Sequence, residues 1–231
     1  MLKKTLLAAV IFGLSTTALQ AYELKSYVTV SVGQAKADKS KAAKVLRSEI
    51  HQVGSMPGVS SRTSSDRSDT AYKIGLGLQA NEYVALEFQY LNLGEASYKG
   101  VASHVMAPSA VGSAKFKSET SGVGANIVGS YPIEDFTVFA KAGYHYLKTK
   151  NALRVGVSGV GVDSSSLNKT VREWVPSFGI GASYSVTPEL AVIAEYERYQ
   201  GVANKKLRYD DERVSLKHNV DLASVGVRYE F

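Results

Sequence analysis

The chain has 231 residues, a formal charge of +6 and not one cysteine, so disulfide scaffolds, thiolate metal sites and thiol nucleophiles are excluded from the start. Fourteen tyrosines and twenty glycines stand out. No apolar run after the N-terminus approaches the roughly 20 residues a membrane-crossing helix requires.

The first residues, "MLKKTLLAAVIFGLSTTALQA", read as a secretory signal peptide over residues 1–21. Lys3 and Lys4 form the basic end, Leu6 to Leu14 the short apolar stretch, and Ala18 or Ala21 is the last residue before cleavage. A transmembrane anchor is the other reading, but the apolar run is too short to span a bilayer. Losing Lys3 and Lys4 leaves residues 22–231 with a charge of about +4, one domain's length.

Eight segments then alternate apolar and polar residues with a period of two, the pattern of half-buried strands. The first carries Leu24, Val28, Val30 and Val32 on one face. The second sets Tyr72, Ile74, Leu76, Leu78 and Ala80 against Lys73, Gly75, Gly77 and Gln79. The third sets Val84, Leu86, Phe88 and Tyr90 against Glu87 and Gln89. "TSGVGANIVGSY", "DFTVFAKAGYHY", "EWVPSFGIGASY" and "LAVIAEYERY" continue the pattern. The last is "DLASVGVRYEF", where Ala223, Val225, Val227, Tyr229 and Phe231 alternate to the final residue.

Three connections are tight, at Asn81, Pro132–Asp135 and Val186–Glu189. Four are long, at about residues 36–69, 94–117, 150–170 and 201–216. Short and long links in strict alternation describe a meander with one smooth end and one loop-bearing end. The expected fold is therefore all-β: an eight-stranded antiparallel up-and-down transmembrane β-barrel with four extracellular loops. Aromatics near both strand ends fit two lipid–water interfaces, with Tyr131, Phe136, Tyr184 and Phe231 at one and Tyr72, Tyr90, Tyr144, Tyr146, Trp174 and Tyr196 at the other. A soluble sandwich would press its aliphatic faces together, and a lipocalin-like barrel would need an apolar interior. Neither suits a second face bearing Lys73, Glu87, Lys141, Glu195 and Arg228.

Those five charges are expected to meet in the lumen as ion pairs, because unpaired charges there are costly. A narrow charge-gated conduit is the alternative. Four histidines, His51, His104, His145 and His218, lack metal-ligand spacing, so no metal and no cofactor are expected. A lipid A-modifying hydrolase would need a Ser–His–acid set at the outer interface. Ser103-His104 are adjacent but fall in the second long connection, and no catalytic residues are assigned. The basic residues Lys36, Lys39, Lys41, Lys44 and Arg47, with Lys205, Lys206 and Arg208, are candidate contacts to lipopolysaccharide phosphates or an anionic surface. Nucleic acid is excluded by compartment. Residues 44–51 are compatible with a short helix.

The stretches "ALEFQYLNLGEASYKG", "IAEYERYQGVA" and "DLASVGVRYEF" resemble the small eight-stranded outer-membrane β-barrels of the OmpA transmembrane-domain, OmpX and opacity-protein type. The resemblance implies an outer-membrane location and a function lodged in the loops, of structural or adhesion type, with a small channel as the alternative and a lipid-modifying enzyme third. Ser224, Gly226, Tyr229 and Phe231 also resemble the C-terminal signal of such barrels, which implies the barrel-assembly machinery as a biogenesis partner.

Overall fold

The structure, a computed structural model, describes residues 25–38, 40–104, 107–158, 162–209 and 212–231. The signal peptide and its cleavage site lie outside the described residues, as does Lys39. The elements are β1 (Ser26–Ala37), α1 (Lys41–Gly54), β2 (Val59–Asp66), β3 (Ser68–Gln79), β4 (Val84–His104), β5 (Ala107–Ile133), β6 (Phe136–Ser158), β7 (Val162–Ser185), β8 (Leu190–Val202), β9 (Lys206–Tyr209), β10 (Glu212–Ser215) and β11 (His218–Glu230).

Eight of the strands form a closed antiparallel ring in the order β1-β3-β4-β5-β6-β7-β8-β11. Closure comes from β11 pairing with β1, from Tyr27 opposite Glu230 to Ala37 opposite Val220. The Phe231 amide donates to the Ser26 carbonyl at 2.8 Å. The alternation places the aliphatic and aromatic set outward: Val30, Ile74, Leu76, Ile127, Trp174, Ile180 and Val225 are all exposed. From Phe136 to Tyr146, and from Tyr184 to Trp174, the outward face runs between aromatic pairs at 4.8 Å and 5.4 Å. At about 3.4 Å per residue and a tilt of about 40°, that separation is roughly 26 Å, the height of an outer-membrane apolar band.

The smooth end is built from side-chain-capped turns. Asn81 Oδ1 accepts the amides of Tyr83 and Val84, and Thr187 Oγ1 those of Glu189 and Leu190.

The opposite end differs from the expected loops. Residues 94–117 and 150–170 are largely strand: β4 to β7 continue far past the membrane as two long hairpins. Amphipathicity inverts above the outer girdle, with Phe116 buried inward and Lys115 and Lys117 on the outer face. On β4 a bulge between Asn92 and Glu95 also shifts the phase, so Glu87, Gln89 and Leu91 face inward below it and Ala96 above it. Gly94 makes the bulge at φ +71°, where a Cβ would meet Asp69. The 36–69 connection holds α1, spanning the expected 44–51, and then β2, which lines the β4 edge. Ser40 caps α1 by accepting the Ala43 amide, and Ile50 seats on Gly100 of β4. The 201–216 connection folds into the β9–β10 hairpin.

Candidate functional site

The lumen is filled in three layers. At the periplasmic end Tyr27, Ala85, Val128 and Phe139 form a small apolar plug. Gly77 permits it, because a Cβ there would lie 1.9 Å from the Tyr27 ring. Arg228 was expected in the mid-barrel ion cluster. It sits lower, its guanidinium 4.5 Å from the Tyr27 ring centre and 5.6 Å from that of Phe139, with Glu230 at 4.0 Å. Two aromatic faces and a rim carboxylate stabilise the charge there.

The middle layer is one continuous polar chain. Tyr27 Oη donates to Glu87 at 3.1 Å, and Lys141 bonds Glu87 at 2.7 Å and Glu195 at 2.9 Å. Lys73 bonds both Glu195 and Glu197. Tyr199 Oη donates to Glu197 at 3.1 Å and accepts from Gln89 at 3.2 Å. Gln89 then meets His145 Nε2 at 2.7 Å, and His145 Nδ1 meets Ser177 at 3.1 Å. Lys73, Glu87, Lys141 and Glu195 thus come together, joined by Glu197 and the Gln89–His145–Ser177 end. Register across four strands, invisible to a single-strand reading, assembles the latter group.

His145 and Ser177 have the separation of a base and a nucleophile. Both are enclosed, at 0% and 2% exposure, and the third partner is an amide where a hydrolase would need an acid. The third layer caps the extracellular mouth: Leu91, Leu147, Val171, Val175, Leu216 and Leu222 pack into an apolar cluster.

Above the mouth, α1 and the paired strands β2 and β4 enclose a cavity of about 640 Å³. Its wall carries Lys44, Arg47, His51 and Lys99 together with the hydroxyls of Ser48, Thr63, Ser64, Ser65 and Tyr98, and no carboxylate. Of the basic residues singled out in the sequence, Lys44 and Arg47 line this cavity. Lys36 lies on β1 opposite Asp221, and Lys205 is exposed in the turn after β8. The Lys41, Lys206 and Arg208 side chains are outside what is described, and Lys99 was missed because only the basic clusters of the first and fourth long connections were singled out. At the C-terminus, Ser224 points inward to Glu195 at 3.4 Å. A Cβ on Gly226 would press on the Val30 carbonyl. Tyr229 and Phe231 stack edge-to-face outside at 5.1 Å.

A closed eight-stranded ring with an apolar outer band, two aromatic girdles and a polar filled lumen defines a small transmembrane β-barrel of the outer membrane. The OmpA-like transmembrane domain matches residues 22–231, and the chain belongs to that family. No curated protein sequence matches it. Solved structures similar to it include Neisserial surface protein A, at 19% identity over 89% of this chain and 97% of that one, with a TM-score of 0.44. Ail, the attachment invasion locus protein of Yersinia pestis, in complex with the heparin analogue sucrose octasulfate, is 17% identical over 91% of this chain and all of that one, with a TM-score of 0.39. OprG of Pseudomonas aeruginosa is 12% identical over 90% and 96%, with a TM-score of 0.42.

Proposed function

We propose that the protein is a non-enzymatic surface-interaction barrel that engages anionic groups through its extracellular part. The observation that carries this reading is the cavity beneath α1, where Lys44, Arg47 and His51 meet five hydroxyls and no carboxylate. Such a wall offers donors to a sulfated or phosphorylated sugar without an opposing anion, and charge-assisted bonds to its ester oxygens are the stronger class. The lumen argues against a conduit, since apolar layers at both ends interrupt any water column through the polar chain. The test uses the full chain in lipid nanodiscs, titrated with a sulfated disaccharide. Lys44→Gln with Arg47→Gln should weaken binding about tenfold or more. Undiminished binding by the double variant, or steady single-channel openings of the wild type in planar bilayers, would overturn the reading.

A further inference from the structure

Strand register brings together two rows of cations that no loop reading isolates. Lys148 on β6 stands directly opposite Arg172 on β7. Higher up, Lys99 on β4 is opposite Lys115 on β5, and Lys115 is opposite Arg154 on β6. All five belong to the outward face, because the residues beside them in the strands, Leu147, Val171 and Phe116, are buried inward. Like charges directly opposite across a ladder destabilise it unless an anion intervenes. Elsewhere on this outer surface the carboxylates are in place: Lys150 has Glu119 at 3.4 Å, Lys117 has Glu95 at 2.7 Å and Arg198 has Asp221 at 3.2 Å. Lys148, Arg172, Lys99, Lys115 and Arg154 have no carboxylate partner among the described residues. At Lys115, partial burial and then the neighbouring Lys117, Lys99 and Arg154 push the ammonium below its ordinary pKa, with Glu95 pulling the other way.

Their heights point to the ligand. Lys148 and Arg172 lie one outward step above the Tyr146–Trp174 ring pair, which marks the outer edge of the apolar band. That is the level of lipid headgroups, and the same row continues through Ser121 and Asn92, two uncharged donors. Six residues further along β6, about 16 Å higher at the same tilt, comes Arg154 with its row. Between the rows, Glu95 and Glu119 are neutralised by Lys117 and Lys150. A lipid whose headgroup carries phosphate, continued by an anionic saccharide standing out of the membrane, matches both rows at once. A free ion would fill only one of them.

We propose that the outer face of β4–β7 docks one phosphorylated glycolipid of the outer leaflet, with its headgroup phosphate on Lys148 and Arg172 and anionic groups of its saccharide on Lys99, Lys115 and Arg154. Lys99 also borders the cavity beneath α1, but Lys148, Arg172, Lys115 and Arg154 do not, so the variants at those four residues test this surface alone.

The test is glycolipid retention by the full chain in nanodiscs, followed by native mass spectrometry. The probes are phosphorylated lipopolysaccharide with its core sugars, lipid A without core, and lipid A stripped of phosphate. The wild type should retain the first two and release the third. Lys148→Gln with Arg172→Gln should cut retention of both phosphorylated probes about tenfold. Lys148→Arg should retain them, as the charge is kept. Lys115→Gln with Arg154→Gln should weaken only the probe that carries core sugars, and Lys44→Gln with Arg47→Gln should change nothing. Each variant is first checked for the heat-dependent gel shift of a folded barrel. Wild-type retention by the folded lower-row variant would overturn the proposal. So would equal retention of the dephosphorylated lipid, or displacement by millimolar inorganic phosphate, which would mark a simple ion site.

Discussion

Lys73 illustrates how much one residue carries in this lumen. Its ammonium bridges Glu195 and Glu197, and all three side chains are nearly sealed from water. Lys73→Met would strand a second carboxylate charge in a low-dielectric interior, an expected loss of about 3–5 kcal/mol. Adding Glu197→Gln should return most of it, since the remaining Glu195 keeps Lys141. Urea unfolding in lipid vesicles measures both. A single-variant loss below about 1 kcal/mol, the worth of a solvated pair, would mean that water reaches the cluster and the lumen is open. On the other face, Leu76 is exposed to lipid near mid-band. Leu76→Arg should cost about 2–4 kcal/mol in the same titration, and an unchanged midpoint would put the lipid face on the wrong parity.

At the scale of elements, what was legible in the sequence follows from where the solvent changes. Inside the membrane, alternation is apolar-out and polar-in, so Tyr72 to Ala80 or Phe136 to Tyr146 could be phased from single strands. Above the girdle the same strands run on with the sense reversed, Phe116 in and Lys115 out, and polar residues such as Lys99 and Ser97 read as loop. The bulge at Gly94 removed the phase on β4 as well. The meander order told which strands pair but not their residue-level register, which is why the Lys148–Arg172 and Lys115–Arg154 rows, and the Gln89–His145–Ser177 contacts, emerge only from the structure. The cap over the mouth has its own consequence at His218, the first residue of β11. Burial holds the ring below its ordinary pKa of 6.5, against the pull of its bond to the Leu216 carbonyl and of Asp38 and Glu173. Above about pH 6.5 the ring is neutral folded or unfolded and contributes no pH dependence. As pH falls below that value the unfolded chain takes up the proton first, so stability declines. Unfolding midpoints at about pH 7.5 and 5.5 should therefore diverge more for the wild type than for His218→Gln. Equal slopes would show that water reaches the ring.

For the whole molecule, the closed ring makes the last residue a part of the architecture. The Phe231 amide closes the ladder to Ser26, and its ring lies outside against Tyr229 at the periplasmic interface. Its side chain is 73% exposed by protein, with lipid as its surroundings, so few protein contacts depend on it. Phe231→Ser keeps the backbone bond and loses only interfacial transfer energy, at most about 1.5–3 kcal/mol for a fully buried ring and less at an interface. If Ser224, Gly226, Tyr229 and Phe231 also serve the assembly machinery, the loss in cells is of a different kind, because recognition precedes closure of β11 onto β1. The expected outcome is a variant that refolds in detergent with near-normal stability yet fails to reach the outer membrane in living cells. Quantitative outer-membrane fractionation beside in vitro refolding separates the two effects. Normal membrane levels of Phe231→Ser would remove the assembly role from the terminus, and a collapse of refolding itself would show that the terminal ring holds the barrel closed through contacts beyond Tyr229.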